Sequence, residues 1–243
     1  MKSVCEKYGA LFILDEVMSG MGRMGTTHGW QAYGNVKPDL QAVAKGLGGG
    51  YVNIGAVLIS PRVAEGIQSL WKHGHTYQVS YMFSIECLRL IRPIQAQPAA
   101  CAGALAVQDV IKNENLLENI NKQGEYLASL LRERLTSSIS NAAPFVFDIR
   151  GRGGFWALEF DFSSAEGQKL DFGDHKTFAI AAQQKALENG LIIMGLSGGA
   201  NLEGSKGDHL ILAPAYNVTK ENIESMVDIL VRSVEESLKE AGI

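Results

Sequence analysis

The sequence predicts an α/β fold, in which a doubly wound sheet is followed by a smaller α/β domain. Two short apolar runs bounded by glycine or proline, residues 11–17 and 40–44, are typical of buried strands in a parallel sheet. Residues 116–135 carry apolar side chains at helical spacing, and from Pro144 onward the pattern changes to alternating strands. We place the domain boundary after residue 112, where an Asn-Glu-Asn segment interrupts the helical patterns.

Each element is bounded by residues that end helices or strands. Asparagine, glycine and proline separate the periodic segments, and the first residues have the character of the end of an amphipathic helix with a glycine stop. The predicted elements are, in order, strands at residues 11–17, 40–44 and 54–59, helices at 98–110 and 116–135, strands at 145–149 and 154–162, a helix at 175–188, strands at 191–194 and 209–213, and a helix at 219–239.

Composition narrows the class of protein. The chain has 243 residues, of which 46% are hydrophobic, enough for a core and for one or two domains. A net charge of −4 leaves no basic surface for nucleic acid, and no apolar run is long enough to span a bilayer. Cys5, Cys87 and Cys101 lack the spacing of a disulfide framework or a metal site. We therefore expect a reducing, cytoplasmic compartment, unless a targeting sequence precedes the first residue.

A carboxylate and an amine follow the first two predicted strands. The first apolar run ends in Asp15, and the second is followed by Lys45. Because the carboxyl ends of parallel strands meet at one edge of the sheet, where open α/β sheets bind ligands, both groups should lie in one crevice. A lysine there can form a Schiff base, and an aspartate can hold the protonated ring nitrogen of pyridoxal phosphate. The pair therefore points to chemistry with that cofactor.

Each signal is weak when it is taken alone. A hydrophobic run that ends in Asp15-Glu16 is also what a nucleotide hydrolase uses to hold its magnesium water, so a Walker-type hydrolase is an alternative. A lysine at a strand end is also commonly a solvated surface charge. Against the hydrolase, the chain has no phosphate-loop motif of the form Gly, four residues, Gly-Lys-Ser or Gly-Lys-Thr, and Lys45 precedes its glycines instead of following them.

A family resemblance adds to these observations. Residues 11–28 (LFILDEVMSGMGRMGTTH) and 43–51 (VAKGLGGGY) resemble class III, or ω-type, pyridoxal-phosphate-dependent aminotransferases. The resemblance continues through residues 73–77, 97–101, 148–153 and 209–214, and so covers almost the whole chain. It implies fold type I, with residues 1–112 as the C-terminal part of the large cofactor-binding domain. Residues 113–243 would then be a connecting helix and the small C-terminal domain.

The resemblance also implies roles for individual residues. Lys45 corresponds to the catalytic lysine that binds pyridoxal phosphate covalently, and Asp15 to the partner of the ring nitrogen. Val17 would pack on one face of the ring. Thr76 would donate its hydroxyl to the cofactor phosphate across a homodimer interface. Met18 stands where many members carry a glutamine that donates to the phenolic oxygen of the cofactor, a contact that methionine cannot make.

The neighbours of these residues are expected to be structural. Arg23 would tie its loop by hydrogen bonds. Because the side chain of Glu16 points to the opposite face of the strand from Asp15, we expect it in a structural ion pair. The segment 150–153, Arg-Gly-Arg-Gly, could suggest an anion site, but in the resembled family it is a tight turn between two strands.

The resemblance implies ping-pong transamination. An amino group would move from an amine or amino acid to a keto acid or aldehyde, with small molecules as the only partners besides a second copy of the chain. No carboxylate-binding arginine is evident in residues 209–214, which favours an amine or ω-amino acid as donor. No metal ligands are assigned.

Two features depart from the family. Members are considerably longer, and the glycine-containing turn that cradles the phosphate at a helix N-terminus is missing before Asp15. We therefore expect an N-terminally truncated chain, with an inactive remnant as the alternative function. Residues 79–95 also interrupt the family pattern, because deleting them joins HGHTYQ to AQPAACAGALAVQ. Val-Ser can be encoded as GTNAGY and Ile-Gln as ATACAG, so we predict a retained intron that is absent from the functional protein. The alternative is a genuine surface insertion, for which an apolar, aromatic-rich segment with few turn residues is a poor candidate.

Overall fold

The structure is a computed structural model that describes residues 1–70, 97–175, 177–202 and 206–243. It has the mixed α/β architecture that the sequence predicts, and it divides into two compact units, Met1–Leu117 and Glu118–Ile243. The division falls within the first turn of the helix that begins at Leu116, a few residues after the predicted boundary. Thr76 and the predicted insertion at 79–95 lie outside the described residues.

The first unit is built on a three-stranded sheet with strand order β1-β2-β3. Strands β1 and β2 are parallel, with Ile13 beside Leu40 and Asp15 beside Ala42, and β3 runs antiparallel to β2. The predicted parallel pairing of the first two runs is therefore confirmed. The described elements of this unit are α1 (Lys2–Lys7), β1 (Ile13–Asp15), β2 (Leu40–Val43), β3 (Ala56–Ile59), α2 (Pro61–Leu70) and α3 (Pro98–Asn113).

The two faces of this sheet differ in burial. On one face Gln41 and Val43 are buried beneath the loop that follows β1. On the other face Ile13 is 61% exposed and Val57 is 63% exposed. The expectation that residues 11–17 form a buried strand is therefore wrong for this face. The apolar pattern predicts a strand, but it does not show whether the described residues cover one face of the sheet or both.

The helix α3 begins at the predicted residue and continues to Asn113, three residues beyond the predicted end. Pro98 occupies its first turn, where a missing N–H breaks no hydrogen bond and the fixed φ already suits a helix. After α3, Asn115 takes a left-handed conformation with φ +53° and turns the chain into the next helix. Asparagine tolerates this conformation better than most residues, so the turn is encoded locally.

The second unit contains a four-stranded antiparallel sheet with strand order β4-β5-β7-β6. Helices pack on it around a core that includes Leu127, Leu158, Phe178 and Leu230, none of which is exposed to solvent. The described elements are α4 (Leu116–Leu135), β4 (Val146–Arg152), β5 (Phe155–Phe160), α5 (Phe178–Glu188), β6 (Met194–Leu196), β7 (Asp208–Leu212) and α6 (Lys220–Ala241).

The turn between β4 and β5 shows that the Arg-Gly-Arg-Gly segment is structural. Gly153 has φ +55°, and its carbonyl accepts a hydrogen bond from Trp156 Nε1 at 2.9 Å. Arg150 forms ion pairs with Asp148 on its own strand and Glu159 on the neighbouring strand. Hydrogen bonds to these two carboxylates raise the pKa of the Arg150 guanidinium further above its usual value. The predicted tight turn is confirmed, and Arg150 is already occupied by carboxylates of the chain.

The closing helix α6 is defined by both of its ends. Thr219 Oγ1 accepts a hydrogen bond from the Asn222 N–H, and the Asn222 side chain accepts one from the Thr219 N–H, which is the reciprocal arrangement of a capping box. Gly242 follows the helix in the left-handed conformation. Among the described residues, no helix combines the length and apolar character needed to cross a membrane.

Candidate active site

Asp15 lies at the carboxyl end of β1 with its side chain exposed. Its Oδ1 accepts a hydrogen bond from the Val17 N–H at 3.0 Å, which fixes the carboxylate at the start of the following loop. In the described part of the chain, this is the one hydrogen bond of the carboxylate, so Oδ2 is available to a ligand. The Asp15 carboxylate is therefore fixed through one oxygen, and its other oxygen can bind a ligand.

Lys45 lies two residues beyond the end of β2 and is also exposed. Its backbone φ is +38°, in the left-handed region that lysine rarely adopts. The carbonyl of Lys45 accepts hydrogen bonds from the N–H groups of Gly48 at 3.1 Å and Gly49 at 2.9 Å, which close a tight turn. Non-glycine residues in this conformation are rare and concentrate at functional sites, so the strain itself marks the position.

The parallel pairing brings these two residues to the same edge of the sheet. Asp15 ends β1 and is in register with Ala42 on β2, three residues before Lys45. Among the described residues, no ion pair or hydrogen bond occupies the Lys45 amine. The arrangement therefore presents a carboxylate and an amine, both open to a ligand, at the carboxyl ends of neighbouring parallel strands.

Helix α3 holds the turn that follows Lys45. Gln108 Nε2 donates hydrogen bonds to the carbonyls of Gly46 and Leu47, each at 3.1 Å. Gly49 faces Val107 of the same helix so closely that an added Cβ would lie 2.9 Å from a valine methyl. The turn is thus fixed both by hydrogen bonds and by contact. Sequence reasoning did not find Gln108, because its partners lie some sixty residues earlier in the chain.

Glu16 is buried beneath the same end of the sheet, with 4% of its surface exposed. The predicted structural ion pair is wrong: no basic side chain within the described residues lies at ion-pairing distance. Its carboxylate instead accepts hydrogen bonds from the N–H groups of Gly29 and Trp30, each at 2.7 Å, and from Gln41 Nε2 at 2.6 Å. Backbone amides at the start of a short helical turn replace the expected cation, since they carry partial positive charge.

Gln41 connects this carboxylate to two aromatic rings. Its Nε2 also lies 3.0 Å from His28 Nδ1, and its Oε1 accepts from Trp30 Nε1 at 3.2 Å. The rings of His28 and Trp30 stack with their centroids 5.6 Å apart. We refer to Glu16, Gln41, His28 and Trp30 as the Glu16 network. Sequence reasoning missed Gln41 and His28, although a glutamine inside an apolar strand was a signal that a buried polar partner existed.

The remaining predicted residues are placed as follows. Val17 is half-buried directly after Asp15, and Met18 is 42% exposed. Arg23 is half-buried in the loop, and its backbone N–H donates to the Gly20 carbonyl at 3.2 Å. Thr76 lies outside the described residues, so its role remains a prediction. Within the described part of the chain, no cluster of histidine, cysteine or acidic side chains could hold a metal ion.

A groove of about 890 Å³ adjoins Asp15. Phe12, Trp30 and Tyr33 line it together with Lys37. Lys45 does not contribute to its lining. We place the candidate site at the sheet edge, where the two charged groups converge, and not in this groove, because the chemistry requires both of them.

Comparisons with known proteins agree with this geometry. The sequence model of the aminotransferase class-III family matches residues 1–234. The chain belongs to the class-III aminotransferase family. This membership sets aside the Walker-type nucleotide hydrolase that the run ending in Asp15-Glu16 left open. Together with the similar transaminase structures, it also shows the fold to be a fragment of the fold type I aminotransferase architecture.

Individual relatives support the same assignment. An aminotransferase of Gibberella zeae is 40% identical over 237 residues, which are 96% of this chain and 41% of that protein. A gamma aminobutyrate transaminase of Solanum lycopersicum is 30% identical, and the match covers 98% of this chain and 46% of that protein. A transaminase structure from an ancestral-reconstruction study superposes with a TM-score of 0.75 at 30% identity, over 98% of this chain and 46% of that chain. The class-III chain thus spans less than half the length of these relatives.

The class-III site residues fit pyridoxal phosphate. The cofactor needs an amine to bind its aldehyde and an anion to hold its ring nitrogen protonated. Lys45 and Asp15 supply these groups at one sheet edge, and neither is neutralised by another described side chain. Val17 stands beside Asp15, where it can pack against an aromatic ring. Met18 can offer the same ring only an apolar or weakly accepting contact.

Proposed function

We propose that the complete protein is a pyridoxal-phosphate-dependent aminotransferase that moves an amino group from an amine or amino acid to a keto acid or aldehyde. The observation that carries the proposal is the placement of Asp15 and Lys45 at the carboxyl ends of the parallel strands β1 and β2, where no described side chain binds the Lys45 amine. Membership of the class-III family, with the match over residues 1–234, supports it. Bound pyridoxal phosphate would supply an electron-withdrawing ring that stabilises negative charge on the substrate carbon.

Lys45 would anchor the cofactor and move the proton. Its amine is exposed, and it leaves a backbone turn that is fixed by Gly48, Gly49 and Gln108. A rigid backbone with a free side-chain end suits a group that must hold one position as an anchor and then reach a substrate atom as a base. The Lys45 amine would accept the proton that leaves the substrate carbon. The same amine would then donate that proton to the other carbon atom between which the proton is exchanged.

Asp15 would keep the ring nitrogen protonated. One of its oxygens already accepts from the Val17 N–H at 3.0 Å, which leaves the other oxygen to accept from the ring. A carboxylate in this place favours the charged, protonated form of a neighbouring nitrogen. Protonation there is what makes the ring an effective electron acceptor, so we expect Asp15 to affect rate more than binding.

We propose an amine or ω-amino acid as the donor. Residues 209–214, His-Leu-Ile-Leu-Ala-Pro, contain no arginine that could bind an α-carboxylate. The similarity to a protein named as a gamma aminobutyrate transaminase supports a donor whose amino group is distant from its carboxylate. We further propose that the complete protein is a homodimer, in which Thr76 donates its hydroxyl to the cofactor phosphate of the partner.

The experiment replaces the two charged groups in the complete protein. Lys45→Ala should abolish both the visible absorbance of lysine-bound cofactor and transamination. Asp15→Asn should retain the cofactor but lower the rate by about 10²-fold or more, because the nitrogen loses its anionic partner. Lys37→Ala is the matched control, since it removes an exposed lysine in the same unit and should change neither. Borohydride reduction followed by peptide mapping should place the trapped cofactor on Lys45, and trapping on Lys37 would contradict the assignment.

The inactive remnant is tested separately with the 243-residue chain. We expect this chain alone, supplied with pyridoxal phosphate, to give no turnover of an amine with pyruvate. Exposed apolar residues on one face of the three-stranded sheet, such as Ile13 and Val57, favour self-association over ligand binding. Turnover by a monodisperse preparation of these residues would exclude the remnant.

A further inference from the structure

We propose that the Glu16 network is the positioning device for Asp15. The proposal rests on the proposed function, in which Asp15 holds the ring nitrogen of the cofactor. Asp15 ends β1, and Glu16 follows it directly, with its N–H still bonded to the Ala42 carbonyl of β2. Consecutive side chains along such extended backbone point to opposite faces. Fixing the Glu16 side chain on one face therefore fixes the direction of the Asp15 side chain on the other.

Glu16 is held through its backbone as well as through its carboxylate. Its N–H donates to the Ala42 carbonyl at 2.9 Å, and its carbonyl accepts from the Gly20 N–H at 2.9 Å. The carboxylate adds three donors, from Gly29, Trp30 and Gln41. A residue bound at its donor, its acceptor and its side chain has little freedom to rotate about the strand axis.

The hydrogen bonds allow one orientation of the Gln41 amide. Trp30 Nε1 can only donate, so the oxygen of Gln41 must face it. The carboxylate of Glu16 accepts, so the nitrogen of Gln41 must face Glu16. That nitrogen also lies 3.0 Å from His28 Nδ1, which faces it as the acceptor. Every member of the network is thereby assigned a single role.

Two glycines close the space around the carboxylate. A Cβ on Gly20 would lie 2.9 Å from the Glu16 carbonyl oxygen and 3.1 Å from Oε2. A Cβ on Gly29 would lie 3.2 Å from the Glu16 Cδ. These distances are tighter than ordinary contacts, so glycine at positions 20 and 29 lets the backbone lie directly against the Glu16 side chain. The network is built to hold this one group in place.

Glu16→Gln in the complete protein perturbs the network with almost no change in shape. Whichever way the new amide is turned, its NH₂ faces at least one of the donors on Gly29, Trp30 or Gln41, so the carboxyl-binding pattern fails. Displacement of a positioning group by about 1 Å can lower a rate by about 10²-fold. We expect kcat to fall by about tenfold to a hundredfold while KM changes little, because the substitution is at a buried residue and alters the position of Asp15 more than any exposed side chain.

The decisive measurement is the protonation of the cofactor nitrogen, followed by NMR of ¹⁵N-labelled pyridoxal phosphate bound to the protein. Glu16→Gln should lower the pH at which this nitrogen loses its proton, because the Asp15 carboxylate would be displaced and would stabilise the protonated form less. Gln41→Met, which leaves Glu16 both backbone donors, should give a smaller shift in the same direction. Glu65→Gln, at an exposed glutamate of α2, is the control and should leave the titration unchanged.

Normal nitrogen titration and normal kcat in Glu16→Gln and Gln41→Met would overturn the proposal. Loss of folded protein or of cofactor binding in both variants would overturn it as well, because the network would then serve the fold alone. Lys45→Ala, measured in parallel, separates this proposal from the proposed function. If Lys45→Ala is inactive while Glu16→Gln behaves as wild type, only the positioning role of the Glu16 network is contradicted. If Lys45→Ala is active, the proposed function itself is contradicted.

Discussion

Replacing Gln108 with leucine should release the turn that carries Lys45. The side chain of Gln108 donates two hydrogen bonds, to the carbonyls of Gly46 and Leu47, each at 3.1 Å. Leucine preserves much of the volume and removes both donors. The variant therefore tests whether helix α3 fixes the backbone of the proposed catalytic residue.

The structure allows the size of the effect to be worked out. Two neutral hydrogen bonds contribute about 0.5–1.5 kcal/mol each, or about 1–3 kcal/mol together. Holding Lys45 in the left-handed region, at φ +38°, costs about 1–2 kcal/mol. Because the two quantities are comparable, losing Gln108 removes enough energy to let the turn relax. The relaxed turn would no longer present the amine at the sheet edge.

The assay is the affinity of the apo form of the complete protein for pyridoxal phosphate, followed by the visible absorbance of the lysine-bound cofactor. A loss of about 1–3 kcal/mol corresponds to a Kd raised by about fivefold to about 150-fold. Gln108→Glu should weaken binding further, because its carboxylate oxygens would face the two carbonyls. Gln184→Leu is the control, since the exposed side chain of Gln184 donates to Glu188 at 3.3 Å within α5, far along the chain from Lys45. A Kd for Gln108→Leu within twofold of the control would refute the reasoning.

Two further predictions concern stability. Gly124→Ala should strongly destabilise the protein or prevent folding, because the new Cβ would lie 1.8 Å from the Gly153 carbonyl oxygen. Gly66→Ala in α2 should instead stabilise its helix by about 0.5–1 kcal/mol, because no described atom lies within 4 Å of the new Cβ. Urea unfolding of both variants decides this, and equal effects would contradict it. The pKa of Tyr126 is raised above 10.0 chiefly by its hydrogen bond to Glu224. That stabilisation is complete below pH 10.0 and is lost as pH rises through the folded-state pKa, so Tyr126→Phe should show a smaller alkaline decrease in its urea midpoint than wild type.

Much of the fold could be predicted from local patterns. The amphipathic periodicity of α4 and the capping residues of α6 act within a few residues, so the sequence contains most of what determines these helices. The parallel pairing of β1 and β2 followed from two short apolar runs with a long connection between them. The first of the two short strands near the end of the chain was displaced, since β6 is Met194–Leu196 and not residues 191–194. Strand boundaries of this kind depend on pairing with β7, which no local pattern reveals.

The site was harder to predict in full. Asp15 and Lys45 were found because a charge at the end of an apolar run is visible in one dimension. The acceptor role of Glu16 was not found, since it depends on backbone N–H groups of Gly29 and Trp30 that have no residue signature. The bonds from Gln108 and the positive φ of Lys45 likewise arise from tertiary packing. The sequence identified the two candidate groups, Asp15 and Lys45, and the structure shows the contacts that hold the backbone around them.

The left-handed backbone at Lys45 sets stability against activity at a single residue. Glycine would adopt φ +38° without steric penalty, and the exposed lysine side chain contributes little packing that could be lost. Lys45→Gly should therefore give a protein that is at least as stable as wild type but catalytically dead. A variant library selected only for thermal stability would be expected to lose the lysine at position 45. Stability-guided redesign of this chain should therefore keep Lys45 unchanged.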